Sequence, residues 1–159
     1  ILWTLLNIHG KRERSAHGKL FKTFFIVLII QIIYGAFTAG LDAGFTFNTF
    51  PKMGRYWFPE EISMMNTILE NLLFNPICVQ FIHRLLGMSL FLLSFLLVLK
   101  QKQFKPLLFL TTGQFVLGVL TLVMHVPVVL AVLHQLGALG LLSSVVYFLY
   151  NSTESRCFD

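Results

Sequence analysis

Four apolar stretches of about 17–25 residues organise this chain. They run from about Thr23 to Ala39, Pro76 to Leu99, Phe104 to Met124 and Val126 to Tyr150. At 1.5 Å per residue, each is of the order needed to cross roughly 30 Å of hydrocarbon. The pattern predicts an all-α integral membrane four-helix bundle. Pro76, Pro106 and Pro127 fall in or near first turns, where a missing N–H costs little. The opening run, ILWTLLN, is apolar but too short to span and reads as the end of a preceding helix. The chain therefore reads as part of a longer protein. Residues 1–22 are a truncated helix end and a basic segment, 23–150 the four-span unit, and 151–159 a tail.

Charge sets the orientation. Lys11, Arg12, Arg14, Lys19 and Lys22 precede the first span, Lys100, Lys102 and Lys105 link the second and third, and Arg156 follows the fourth. With four spans these lie on one side, and only Lys52 and Arg55 lie on the other. Basic residues favour the cytoplasmic or matrix side, so both termini are expected there. The net charge of +5 is thus a topology signal and gives no reason to expect nucleic acid.

Between the first two spans lies a long outer loop, 41–75. Its first half mixes Gly, Pro and aromatics like a folded interfacial cap, and Tyr56, Trp57 and Phe58 suit the headgroup belt. Its second half places Ile62, Met65, Ile68, Leu69, Leu72 and Leu73 at helical spacing. That spacing predicts a short amphipathic helix on the membrane surface, although an ordinary ordered loop explains it equally well.

Composition agrees with the membrane reading: 56% of residues are hydrophobic, 12% are charged, and mean hydropathy is +0.77. Cys78 and Cys157 are expected on opposite sides and cannot form a disulfide framework. Phosphate loops, dinucleotide fingerprints and Ser/His/Asp patterns are absent from the sequence.

Candidate chemistry lies inside the apolar stretches. His83 and His134 each sit about two turns into a span, roughly 10 Å below the outer boundary. Ionisable residues are costly in hydrocarbon and mark functional sites by default. Two imidazoles at one depth on different helices suit the axial ligation of haem iron. Hydrogen bonding between helices is the competing explanation. Gly87 and Gly137 follow the histidines by one turn, leaving room for a flat macrocycle or for close helix packing. Arg84 suits a haem propionate, and snorkelling to headgroups explains it as well. Gln80 and Gln135 are candidates to orient an imidazole, and hydrogen bonds between helices explain them as well. His125 reads as an exposed turn residue, Asp42 and Asn48 as turn organisers, and His9 and His17 as parts of the basic segment.

Several stretches together resemble the haem A synthase family, in its C-terminal half. They are AHG at Ala16–Gly18, GAFTAGLDAGFTFNTFPKMG from Gly35, WFPEE from Trp57, NPICVQFIHRLLG from Asn75 and LGVLTLVMHVPVVLAVLHQLGAL from Leu117. The loop wording is closest to the mitochondrial type. The resemblance implies one half of an eight-helix, pseudo-symmetric oxidoreductase that converts the methyl group of haem O to the formyl group of haem A. It implies haem b between His83 and His134, with the oxidation site and its own histidines and glutamate in the other half. No catalytic residue is then expected in this chain.

The family setting implies haem O as substrate and an unidentified electron donor. It adds haem O synthase, cytochrome c oxidase assembly factors and a second copy of the chain as candidate partners. The mitochondrial inner membrane, or a bacterial plasma membrane, is the expected location. One departure is Phe74-Asn75-Pro76, where many relatives have Glu-Asn-Pro; Glu70 lies one turn upstream. A stand-alone four-helix b-type cytochrome is the alternative, and a cofactor-free assembly scaffold is a third reading.

Overall fold

The computed structural model describes residues 18–153, with side chains as far as Tyr150. His9, His17, Lys11, Arg12, Arg14, Arg156 and Cys157 lie outside the described residues. Four helices are long and apolar enough to cross a membrane. They are α1 (Lys19–Gly40), α3 (Pro76–Lys100), α4 (Lys105–Val123) and α5 (Val128–Thr153), while α2 (Ile68–Phe74) is a short helix in the outer loop. The described residues contain no strand, only an isolated Met53–Tyr56 bridge. The protein is an all-α membrane bundle.

Local chemistry sets the helix ends. Pro106 sits in the first turn of α4 and Pro76 in that of α3. The Asn75 side chain caps α3 by accepting from the N–H groups of Ile77 and Cys78, at 3.0 and 3.3 Å. A three-residue 3₁₀ turn, Lys102–Phe104, reverses the chain between α3 and α4. At the opposite end, His125 and Val126 make the reversal with φ of 62° and 56°, and His125 is exposed. A β-branched valine rarely adopts that conformation. It is held by Val126 N–H donating to Thr121 O at 2.8 Å.

α1 packs on α3, α3 on α4, and α4 on α5; α3 and α5, which carry the histidines, face across the bundle without close packing. The tight core fills only the lysine-rich end. Phe21, Phe24 and Leu28 of α1 meet Leu90 and Leu97 of α3, Phe104, Leu107 of α4, and Leu141 and Val145 of α5. Phe21 stacks on Phe104 at 5.3 Å between centroids, and Phe148 completes the aromatic floor.

The outer loop is more finely divided than its hydrophobic spacing suggests. Glu60–Ser63 is a 3₁₀ turn and α2 begins only at Ile68, so the expected amphipathic helix is one short piece. Thr67 starts it with a capping box: Thr67 Oγ1 accepts from Glu70 N–H at 3.1 Å, and Glu70 Oε2 accepts from Thr67 N–H at 3.0 Å. Glu70 is thus committed to a cap, and Phe74 is exposed. Two buried asparagines organise this half. Asn71 Nδ2 donates to the carbonyls of Met65 and Thr67, and Asn75 Nδ2 to those of Glu61 and Ile62 and to Asn71 Oδ1.

Candidate functional site

Directly outward of the core the bundle changes character. The last buried residues are Leu28 on α1, Thr111 on α4 and Leu141 on α5. Beyond them none of these helices has another, and α3 has none between Phe81 and Ser89. One turn beyond the core lie Gln31, Gly87, Gln114 and Gly137. One turn further lie Gly35, His83, Gly118 and His134.

Contacts define these two layers. A Cβ on Gly35 would lie 3.3 Å from His83 Cε1, and one on Gly118 would lie 2.9 Å from His134 Cε1. Each imidazole therefore rests against a glycine of a neighbouring helix: a Cβ at Gly118 would force the ring to shift, and one at Gly35 would press on it. In the other layer, a Cβ on Gly87 would lie 3.3 Å from Gln31 Nε2, and one on Gly137 would collide with Gln114 Oε1. Glutamine amides thus occupy the space beside the glycines expected to make room for a macrocycle.

The arrangement repeats. α1 carries Gln31, Gly35 and Thr38, and α4 carries Gln114, Gly118 and Thr121, at identical spacing. Both threonines donate to the carbonyl four residues back, and both helices run outward from the lysine-rich end. The partner helices, α3 and α5, bring His83 with Gly87 and His134 with Gly137. The bundle is two similar hairpins, and the histidines hold equivalent places in them.

The two hairpins differ in detail. Gln31 Nε2 lies 3.4 Å from His83 Nε2. Gln114 Nε2 instead donates to the backbone oxygen of His134 at 2.6 Å. Buried without a hydrogen-bond partner are His83 Nδ1, His134 Nδ1, Gln31 Oε1 and Arg84 Nε. Orphaned buried polar atoms are rare, and each asks for an explanation.

The Arg84 guanidinium reaches the backbone of the outer loop. Its Nη1 donates to Thr49 O at 2.7 Å and Lys52 O at 3.3 Å, and its Nη2 to Phe47 O at 2.6 Å and Gln80 Oε1 at 3.2 Å. Gln80 Nε2 donates to Ala43 O and Phe47 O. Gln80 thus belongs to a clasp on the outer loop and not to an imidazole, and Gln135 is exposed. Asn48 ties the same loop to α4 by donating to Leu122 O at 2.9 Å. Asp42 is exposed with φ of 51°, as a turn residue should be.

The residues that reading the sequence alone overlooked are Gln31, Gln114, Gly35 and Gly118. Their signal was available as the repeated Gln-x-x-x-Gly of the first and third spans.

Fold and site define a class: an integral membrane four-helix bundle built from two hairpins, each presenting one intramembrane histidine. The family model described as cytochrome oxidase assembly protein matches residues 1–146, and the chain belongs to that family. A heme A synthase of Pelagibacter ubique is 38% identical over 97% of this chain and 48% of its own length. The heme A synthase of Mus musculus is 41% identical, covering 77% of this chain and 32% of its own, and that of Homo sapiens 40%, covering 86% and 35%. The chain spans about half the length of these curated relatives or less. The stand-alone cytochrome reading gains no support from them. No solved structure matches.

Proposed function

We propose that this chain is the haem b-binding half of a haem A synthase, with His83 and His134 as axial ligands. The observation that carries the reading is the pair of half-buried imidazoles at equivalent positions of two hairpins, one turn or two beyond the end of the tight core. The donor set fits an iron porphyrin, which brings four nitrogens and asks the protein for two axial ligands. Structural zinc takes four protein ligands, and among the described residues no three His, Cys, Asp or Glu side chains gather. Bound there, the haem supplies one-electron transfer.

The chain's own residues do the rest. His83 and His134 would hold the iron, and Gly35 and Gly118 let the rings lie against the neighbouring helices. Arg84 has one donor, Nε–H, left for a propionate, because its other nitrogens hold the outer loop. That loop, clasped by Arg84, Gln80 and Asn48, covers the outer end of the bundle and limits water entry.

In the intact enzyme the methyl group of haem O is oxidised to the formyl group in a second four-helix unit, and this half relays electrons to it. The setting is a mitochondrial inner membrane or a bacterial plasma membrane, with both ends of the chain on the matrix or cytoplasmic side. What supports this is the family, the heme A synthases among the relatives and the lysines gathered at one end of the bundle.

The test is spectroscopic. Purified His83→Ala and His134→Ala proteins should each lose the six-coordinate low-spin signature and most of their haem. Unchanged haem content with an unchanged six-coordinate spectrum in either variant refutes the ligand assignment.

A further inference from the structure

We propose that Asn48 is a positioning residue for the histidine pair, bracing the two hairpins at a fixed spacing through the outer loop. The inference rests on the haem-ligand reading and adds to it the element that sets the span between the ligands.

The need for a brace follows from where the core lies. Within each hairpin, α1 with α3 and α4 with α5, a glycine seats the imidazole on the neighbouring helix. Between hairpins, α3 and α5 do not pack closely, and the tight core is confined to the lysine-rich end. A binding constellation must hold its geometry to within about 0.5 Å. The spacing at the histidines therefore needs a second fixed point, at the outer end.

The loop segment Phe47–Thr49 supplies it. Its backbone belongs to the first hairpin, because Arg84, next to His83 on α3, donates to Phe47 O at 2.6 Å and Thr49 O at 2.7 Å. The side chain between those carbonyls belongs to the second hairpin. An asparagine amide carries two protons on one nitrogen. Asn48 Nδ2 donates to Gly44 O and to Leu122 O, both at 2.9 Å. Leu122 lies in the last turn of α4, where carbonyls lack an intrahelical donor, and one turn beyond Gly118, the seat of His134. His125 N–H shares that oxygen at 3.1 Å. Among the described residues, Asn48 makes the only hydrogen bond from the loop to the second hairpin. Two apolar contacts flank it. Gly44 abuts Val126 so closely that a Cβ would stand 2.9 Å from Cγ2, and Phe50 meets Phe115 edge-on at 5.8 Å. The route from His83 to His134 thus runs through Arg84, the loop backbone, Asn48 and the end of α4.

Spin labels read the brace without haem. In the full chain with Cys78 and Cys157 replaced by serine, Leu85→Cys with Val132→Cys reports the outer halves of α3 and α5. Leu99→Cys with Ser143→Cys reports their lysine-rich ends, and all four positions are exposed. Asn48→Leu keeps the bulk of the side chain and removes both donated bonds. It should widen the distance distribution of the outer pair and leave the inner pair as in the parent. Hemin affinity should fall roughly three- to tenfold, the worth of the one bond that crosses between hairpins. The low-spin EPR g values, which report the mutual orientation of the axial rings, should shift with it. Gly44→Ala strains the same junction from the loop side and should move these readouts in the same way, so poor folding of Asn48→Leu leaves the test intact. Parental outer distances overturn the proposal. So do widened outer distances with parental hemin affinity and g values, because the brace would then not act on the pair. Equal widening at both ends overturns it as well, since that is general loosening. If His83→Ala keeps the six-coordinate signature, the haem-ligand reading has failed, and the haem-free distances still decide whether Asn48 braces the hairpins.

Discussion

Gly118→Ala puts one methyl group where the His134 ring now lies. The new Cβ would stand 2.9 Å from Cε1 and 3.5 Å from both ring nitrogens. Ordinary carbon contacts are 3.5–4.0 Å, so the ring must retreat by roughly 0.6–1 Å. Its own helix resists, because Gln114 on α4 holds the His134 carbonyl at 2.6 Å. Overpacking of this kind costs about 1–3 kcal/mol. If that cost falls on the liganded geometry, hemin affinity drops roughly five- to hundredfold, at 1.4 kcal/mol per decade. Titration of the haem-free protein with hemin, followed at the Soret band, reads it directly. Gly113→Ala is the matched control on the same helix, since nothing lies within 4 Å of a Cβ there. It should bind hemin like the parent. A Gly118→Ala protein with parental affinity and an unchanged low-spin spectrum would refute the claim that this glycine exists to seat the imidazole.

Other perturbations separate the loop from the site. Asn75→Ala removes the cap of α3 and leaves the carbonyls of Glu61 and Ile62 without their donor. A cap is worth about 0.5–2 kcal/mol and a buried orphan about 1–3, so a loss of about 2–4 kcal/mol should show as a lower thermal midpoint in detergent. An unchanged midpoint would mean that water replaces the amide without penalty. Arg84→Lys keeps the charge but cannot reach Phe47, Thr49 and Gln80 together from one nitrogen. Losing about 2 kcal/mol of these bonds should speed hydrogen exchange at the Met53 and Gly54 amides about 30-fold. Unchanged exchange would show that the clasp does not hold the loop.

Much of the architecture was legible in the residues because hydrocarbon imposes a length and a charge rule. The four apolar runs, the prolines at helix starts and the lysines between the second and third runs each follow from the bilayer. The depth of His83 and His134 follows too, because counting residues along a helix measures distance. The outer loop was less legible. Its apolar spacing suggested a longer helix, but the buried Asn71 and Asn75 organise it through carbonyls in the preceding turns, and such bonds leave no periodicity in the sequence.

The sequence by itself determined how many helices cross, where they begin, and that two histidines lie at one level. Only the tertiary structure decided what each histidine touches. These helices are apolar on nearly every face, so no polar stripe marks the side that turns inward. Rotation and register come from packing alone: small residues where helices approach closely, amides where hydrogen bonds can form between them. Hence Gln80, one turn from His83 in sequence, belongs to the loop, while Gln31, on another helix, meets the ring.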